Sequence, residues 1–233
     1  MGIDIQALEN EAFPQVSFIF LDIKIYDTLI MTWIIMALVG GFSCFWSRRL
    51  SIWGPSRVQT AMELFVEWIT SEIKGVIGFS PEKFLTLLGS LLLFIAASAL
   101  LPIVPKAKAP TVDVNTTMAL ATVVFFSVPW YGIRHNGWKN YFGGYLQPKK
   151  FMLPLNILQE LSRTMSLAIR LFANCLSGGF IAAITLFLLG LIAPIIFQVL
   201  GILTGLIQAY VFMLLTLVYI GAAVRPAGDE DAI

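Results

Sequence analysis

The stretch SLAIRLFANCLSGGFIAAITLFLLGLIAPIIF, residues 166–197, is apolar enough to lie in a lipid bilayer, yet it contains one arginine, Arg170. A guanidinium group does not lose its proton in proteins, and an arginine at the bilayer centre costs at least about 2.5–3.5 kcal/mol on insertion scales. A structural ion pair is one explanation, but the last apolar segment has no acidic residue before Asp229. Arg170 is therefore a candidate functional residue.

The composition is typical of a membrane protein. Hydrophobic residues make up 58% of the 233 residues and charged residues 12%, and the mean hydropathy is +0.84. The net charge of +1, with scattered basic residues, argues against nucleic-acid binding. Cys44 and Cys175 show no CxxC pattern, which favours free thiols over a disulfide or metal pair. The acidic N-terminus lacks the basic region of a signal peptide, so we expect the first span to be retained.

The distribution of apolar residues predicts an all-α polytopic membrane protein with about five crossings and a single membrane domain, 1–233. A segment of about 20 apolar residues can cross the hydrocarbon core. The last two segments are longer than this and meet near Pro194, so we expect a long tilted hairpin. Charges alternate with apolar positions in 55–80, which predicts an amphipathic surface helix, with a solvated loop helix as the alternative. The predicted crossings are 27–46, 84–104, 116–133, 156–190 and 192–224.

The loop charges predict the orientation of the chain. The connections 47–83 and 134–150, together with Arg225, carry ten Lys and Arg residues, whereas the opposite side has only Lys24, Lys106 and Lys108. The positive-inside rule then places the N-terminus outside and the C-terminus in the cytoplasm, in agreement with five crossings.

A polar stripe follows one face of the predicted fourth crossing. Its members recur at helical spacing, and lipid cannot solvate them, so the stripe should face protein or a water-filled cleft. An arginine near a helix end that extends to the membrane interface is an alternative for the first member, and an interhelical hydrogen bond is one for the asparagine. The stripe consists of Arg163, Ser166, Arg170, Asn174 and Ser177.

The last crossing has a face on which Gln208 is the only strongly polar residue, between Thr204 and Phe212. We expect Gln208 to meet the arginine helix, either as an interhelical hydrogen-bonding group or as part of an ion path. His135 lies in a basic loop without a second histidine, which favours a loop residue over a ligand or proton relay.

Four segments carry a resemblance to subunit a of F-type rotary ATP synthases. LSRTMSLAIRLFANCLSG at 161–178 resembles the arginine helix of that family, and LTGLIQAYVFMLLTLVYI at 203–220 resembles its final helix, in the same order and spacing. PTVDVNTTMAL at 110–120 and PSRVQTAMELFVEWI at 55–69 are similar to two earlier family segments. The resemblance covers nearly the whole chain.

The resemblance implies a stator subunit with two aqueous half-channels that works against a ring of c subunits. Arg170 matches the essential arginine of the family, which faces the ionised carboxylate of the ring. The implied partners are the c ring, the peripheral-stalk b subunits, the ATP-hydrolysing sector and the lipid bilayer of a prokaryotic plasma membrane. The transported ion would be H⁺ or Na⁺, with no cofactor, no metal site and no catalytic residue in this chain.

Further residues match positions that line or support the ion path in the family: Asn174, Gln208 and Ser166. Asp113 and Asn115 would lie at the outer channel mouth, unless they only cap a helix start. Two positions depart from the family, since Gly179 stands where many relatives carry a carboxylate and Gly201 where some carry a histidine. With YLQPKKFMLPLNILQELSRT at 145–164, these departures resemble the N-type branch, which is thought to pump sodium.

Two other classes of function remain as alternatives. A self-contained secondary ion transporter would work without a c ring, but no internal repeat and no intramembrane carboxylate are evident in the spans. A purely structural membrane anchor would not explain Arg170. The sequence has no GxxxxGK[ST] loop and no HExxH motif, which argues against an independent enzyme.

Overall fold

The computed structural model describes residues 16–17, 24–25, 27–48, 56–78, 81–103, 109–138, 153–189 and 192–224. It confirms the predicted all-α class, because six helices account for nearly all of these residues. Two residue pairs, Val16–Ser17 and Lys24–Ile25, add a short antiparallel bridge. The helices are α1 Asp27–Ser47, α2 Arg57–Ile77, α3 Glu82–Leu100, α4 Val114–Asn136, α5 Leu153–Leu189 and α6 Ile192–Val224.

Five of these helices, α1 and α3 to α6, are long and apolar enough to cross a membrane, by a search of the described residues. The chain is therefore a multi-pass membrane protein, in agreement with the five predicted crossings. Pro194 lies in the first turn of α6, where the missing amide hydrogen costs no helical hydrogen bond. The acidic residues of the N-terminus and the basic residues at 106–108, 139–150 and 225 lie outside the described residues, so the structure adds nothing on the charge asymmetry there.

Helix α2 is amphipathic and does not qualify as a span. Its buried residues Ile69, Ile73 and Ile77 recur every four positions and form one face. The helix ends at Gly78, which has a φ of 82° and donates its amide hydrogen to the carbonyl of Lys74 at 3.0 Å. A residue with a side chain is strained in this left-handed conformation, so the glycine allows the chain to turn from α2 towards α3.

Helix α6 is the centre of the packing, since α2, α3, α4 and α5 all contact it. Its most extensive contact is with α5, the other arm of the hairpin. Phe212, Met213, Leu217 and Ile220 of α6 are fully buried in the core between these helices. Helix α1, by contrast, is mostly exposed along its apolar span, and we expect lipid or a partner subunit to cover it.

Small residues allow two close helix contacts. A Cβ atom built on Gly205 of α6 would lie 2.8 Å from the Cβ of Ala99 in α3, a distance shorter than real Cβ contacts. On the other side of α6, a Cβ atom on Gly201 would lie 3.7 Å from the Cα of Gly178 in α5. Close backbone approach at small residues is the usual way in which membrane helices gain packing energy.

Candidate functional site

Arg170 lies on the exposed side of α5. It lines an open groove of about 520 Å³ together with Ser162, Ser166 and Ala173, and all lining residues belong to α5. Within the part of the chain that the structure describes, Arg170 has no ion pair or hydrogen bond with another side chain. The guanidinium is therefore presented outward from the helix bundle, with no internal carboxylate to neutralise it.

Asn174 and Gln208 join the two arms of the hairpin. The side-chain amide of Asn174 donates to the Gln208 carbonyl oxygen at 2.7 Å, as expected from the prediction that Gln208 meets the arginine helix. Gln208 is only 4% exposed, and its Nε2 atom has no partner among the described residues. In either orientation of the two amide groups, one polar atom of Gln208 remains to bind water or an ion.

The polar stripe predicted on α5 has two parts. Ser166 and Arg170 lie on the exposed side, whereas Asn174 turns towards α6. The buried residues Leu167 and Leu171 lie on the core side of the same helix. Four residues on a helix correspond to a rotation of about 400°, so Asn174 is offset by about 40° from Arg170. This offset is enough to place the arginine outside the bundle and the amide inside the hairpin.

Arg163 packs over an aromatic ring. Its guanidinium carbon lies 4.8 Å from the centre of the Tyr219 ring, near the C-terminal end of α6. A cation over the face of a tyrosine ring is attracted by the negative potential of that face. Arg163 thus links the start of α5 to the end of α6.

Asp113 caps α4, which was the alternative to a channel mouth for this residue. Its Oδ1 accepts the Asn115 backbone N–H at 2.9 Å, and its Oδ2 accepts the Thr28 hydroxyl of α1, also at 2.9 Å. The cap and the contact with α1 explain the carboxylate structurally. The Asn115 side chain is exposed, so it could still face water at a channel mouth.

The two glycines that depart from the family pattern lie at the hairpin contact. Gly201 packs against Gly178 of α5, and a Cβ atom on Gly179 would meet no atom within 4 Å among the described residues. The absence of side chains at Gly178 and Gly201 lets the two helices approach closely. The sequence indicated only the loss of ionisable groups here; the structure adds a packing role for Gly201.

Reasoning from the sequence missed one polar contact, between α2 and α6. The hydroxyl of Tyr210 donates to Oε1 of Glu72 at 3.3 Å, and the Trp68 ring stacks on Tyr210. The helical period of α2 showed which of its residues share a face, but it did not show which helix that face contacts. Residues far apart in the sequence meet here, and no local pattern announces such a contact.

The described residues contain no group of three His, Cys, Asp or Glu side chains that could hold a metal ion. His135 lies exposed near the end of α4, with its Nδ1 atom 3.2 Å from Oδ1 of Asn136. Both cysteines are free, Cys44 exposed and Cys175 partly buried.

The fold and the site define a class: a multi-pass helical membrane protein with an outward-facing arginine beside a hairpin held by paired amides. Residues 29–221 match the family model described as ATP synthase A chain. The chain belongs to this family and is a component of an F-type ATP synthase complex.

Similar proteins carry consistent names. The chain is 43% identical to ATP synthase subunit a 1 of Prosthecochloris aestuarii over 204 residues, 87% of this chain and 92% of the relative. It is 44% identical over 197 residues to ATP synthase subunit a 2 of Acaryochloris marina, 84% of each chain. It is 41% identical over 227 residues to ATP synthase subunit a 2 of a Picosynechococcus species, 97% of this chain and 95% of the relative.

Proposed function

We propose that this subunit is the stator that carries ions past a rotating c ring, with Arg170 as its essential charge. The observation that carries the proposal is the exposed position of Arg170 on α5, without an ion pair among the described residues. An intramembrane arginine must find an anion, and a carboxylate on a neighbouring subunit would meet that need.

The electrostatics fit this role. At an effective dielectric constant of about 20, opposite charges 4 Å apart attract by roughly 4 kcal/mol. Such an attraction favours the ionised form of a ring carboxylate and thereby helps it to release its ion. It also places a fixed positive charge between the two half-channels, which opposes a direct leak of cations.

The surface around Arg170 suits a partner inside the membrane. Ile169 beside it is 57% exposed, and Phe180 one turn beyond the glycines is 59% exposed. Ile207 on α6 is also exposed. Apolar side chains of this kind face lipid or another membrane subunit, so the face fits the c ring that the family resemblance implies.

The other expectations belong to the same proposal. The subunit is non-catalytic and works with the peripheral-stalk b subunits and the ATP-hydrolysing sector. It lies in a prokaryotic plasma membrane with its N-terminus outside and its C-terminus in the cytoplasm, as a single membrane domain. Asn174, Gln208 and Ser166 line the ion path, and Asn115 is at its outer mouth. The ion is H⁺ or Na⁺, and the departures at Gly179 and Gly201 favour the sodium-pumping N-type branch.

The test is ATP-driven uptake of radioactive sodium into liposomes that contain the purified complex, with a protonophore present. Parallel liposomes with a pH-sensitive dye and no protonophore measure proton uptake. Arg170→Ala should abolish the uptake of whichever cation the wild type transports, in a complex that still assembles. The control is Arg134→Ala, which removes an exposed positive charge at the end of α4, away from α5; it should leave uptake unchanged.

Each outcome separates the readings. Sodium uptake that survives the protonophore establishes sodium as the cargo, whereas proton uptake alone establishes protons. Unchanged uptake in assembled Arg170→Ala complex would contradict the role of the arginine and favour a structural anchor. Transport by this chain in liposomes without the c ring would favour a secondary transporter.

A further inference from the structure

A carboxylate from the amphipathic helix α2 lies against the ion-path helix α6. The Tyr210 hydroxyl donates to Glu72 Oε1 at 3.3 Å. The ring of Trp68, one turn earlier on α2, lies 5.4 Å from the Tyr210 ring with an angle of 28° between their planes. Glu72 is partly buried. The sequence suggested no carboxylate in contact with the last two helices, so this group enlarges the set of residues that can handle a cation.

The position of Tyr210 along the hairpin relates it to Arg170. The Arg163–Tyr219 contact and the Asn174–Gln208 hydrogen bond show that α5 and α6 run antiparallel. Arg170 lies between these two contacts on α5, and Tyr210 lies between them on α6. Both residues therefore belong to the same section of the hairpin. Tyr210 follows Gln208 by two residues, a rotation of about 200°, so it lies on the side of α6 that faces away from α5.

The charge of Glu72 has no cationic partner in the described part of the chain, where its one side-chain hydrogen bond is to Tyr210. An ionised carboxylate that is partly removed from water needs a proton or a cation to neutralise it. Its Oε2 atom is available for that purpose. The tyrosine hydroxyl can donate to the ionised carboxylate, and its oxygen can also serve as a ligand for a hard cation.

The usual relay position cannot supply such a group in this chain. Gly201 packs within 3.7 Å of Gly178, measured from a Cβ atom placed on Gly201, and Gly179 has no side chain. An ionisable side chain is therefore missing at the hairpin contact itself. Glu72 is a carboxylate that the fold brings to the same hairpin from another helix.

We infer that Glu72 and Tyr210 form a second cation-accepting site, which the transported H⁺ or Na⁺ occupies between Arg170 and the aqueous phase at the C-terminal end of α6. In the proton case, Oε2 of Glu72 takes up a proton from Arg170's side of the path and passes it to water. In the sodium case, the carboxylate and the Tyr210 oxygen bind the ion. This inference rests on the proposed role of the subunit in ion transport.

The competing explanation is a structural one, in which Glu72 only attaches α2 to α6. Glu72→Gln distinguishes the two, because glutamine keeps the size of the side chain and can still accept the Tyr210 hydrogen bond, while it cannot bind a proton or attract a cation. Glu67→Gln is the matched control, since Glu67 is an exposed carboxylate on the same helix. Tyr210→Phe removes the hydroxyl and keeps the ring that stacks on Trp68.

The experiment measures ATP-driven cation uptake by the purified complex in liposomes over a range of sodium concentrations and pH values. We expect Glu72→Gln to lower the maximal uptake at least about tenfold, the effect of losing one charged interaction. Glu67→Gln should match the wild type. Tyr210→Phe should raise the cation concentration at half-maximal uptake several-fold, with a smaller change in maximal uptake. The sodium series and the pH series show which cation the site accepts.

Wild-type uptake by assembled Glu72→Gln complex at every concentration and pH would overturn the inference. If this variant fails to assemble, Tyr210→Phe decides: an unchanged half-maximal concentration in assembled complex leaves only the structural role. Arg170→Ala is measured beside these variants. If it retains uptake, the proposed function itself fails; if it abolishes uptake while Glu72→Gln does not, only the second site is refuted.

Discussion

The contact between Gly205 and Ala99 leads to a prediction about how tightly α3 packs on α6. In Gly205→Ala, the new Cβ atom would lie 2.8 Å from the Ala99 Cβ, where ordinary contacts begin at 3.4 Å. The helices would have to separate by several tenths of an ångström, and overpacking of this kind costs about 1–3 kcal/mol. Alanine also favours a helix over glycine by about 1 kcal/mol, which offsets part of this cost.

A matched control isolates the packing cost. In Gly41→Ala, the new methyl group would meet no atom within 4 Å among the described residues, so only the gain in helix propensity remains. The free energy of unfolding of Gly205→Ala should therefore lie about 1–3 kcal/mol below that of Gly41→Ala. Titration of the purified chain with sodium dodecyl sulfate in lipid–detergent micelles, followed by tryptophan fluorescence, measures both values.

The double variant Ala99→Gly/Gly205→Ala tests the geometry directly. Removing the Ala99 methyl group takes away the atom at 2.8 Å and leaves the Ala99 Cα at 3.7 Å, an ordinary contact. The double variant should be more stable than the sum of the two single changes predicts, by about the overpacking cost. Equal stabilities of Gly205→Ala and Gly41→Ala, with additive effects in the double variant, would refute the close contact.

Three further predictions concern the ends of helices. Tyr219→Leu should lower the free energy of unfolding by about 0.5–2 kcal/mol through loss of the Arg163 cation–π contact, whereas Tyr219→Phe should retain most of it; the same detergent titration compares them. Asp113→Ala should lose the cap of α4 at a cost of about 0.5–2 kcal/mol and speed amide hydrogen exchange in its first turn, but Asp113→Asn should not. Gly78→Ala should cost about 1–2 kcal/mol because of its φ of 82° and should speed exchange in the last turn of α2; unchanged exchange would contradict this.

The fold was predictable to the level of its helices because hydrophobicity is a local property of the chain. Long apolar runs without interior proline account for α5 and α6, and helical periodicity accounts for the amphipathic α2. The site was predictable in part for the same reason. Arg170 is conspicuous because a charge in an apolar run is costly, and Gln208 because it is the one strong polar group on its face.

Other features depended on which helix packs against which. Asp113 suited either a cap or a channel mouth by its sequence, and only the fold shows that it accepts hydrogen bonds from both Asn115 and Thr28. The polar stripe of α5 looked continuous, but the crossing of α5 and α6 turns Asn174 inward and leaves Arg170 outside.

The sequence by itself determined the solvent of this protein, the number and length of its helices, its family and the arginine that needs an explanation. These follow from the free energy of placing side chains in lipid, which each segment carries with it wherever it packs. The tertiary structure alone decided the glycine contacts of α6, the two sides of the polar stripe and the approach of Glu72 to Tyr210. Those contacts join residues up to 138 positions apart, and their energies depend on interhelical distances that no single segment encodes.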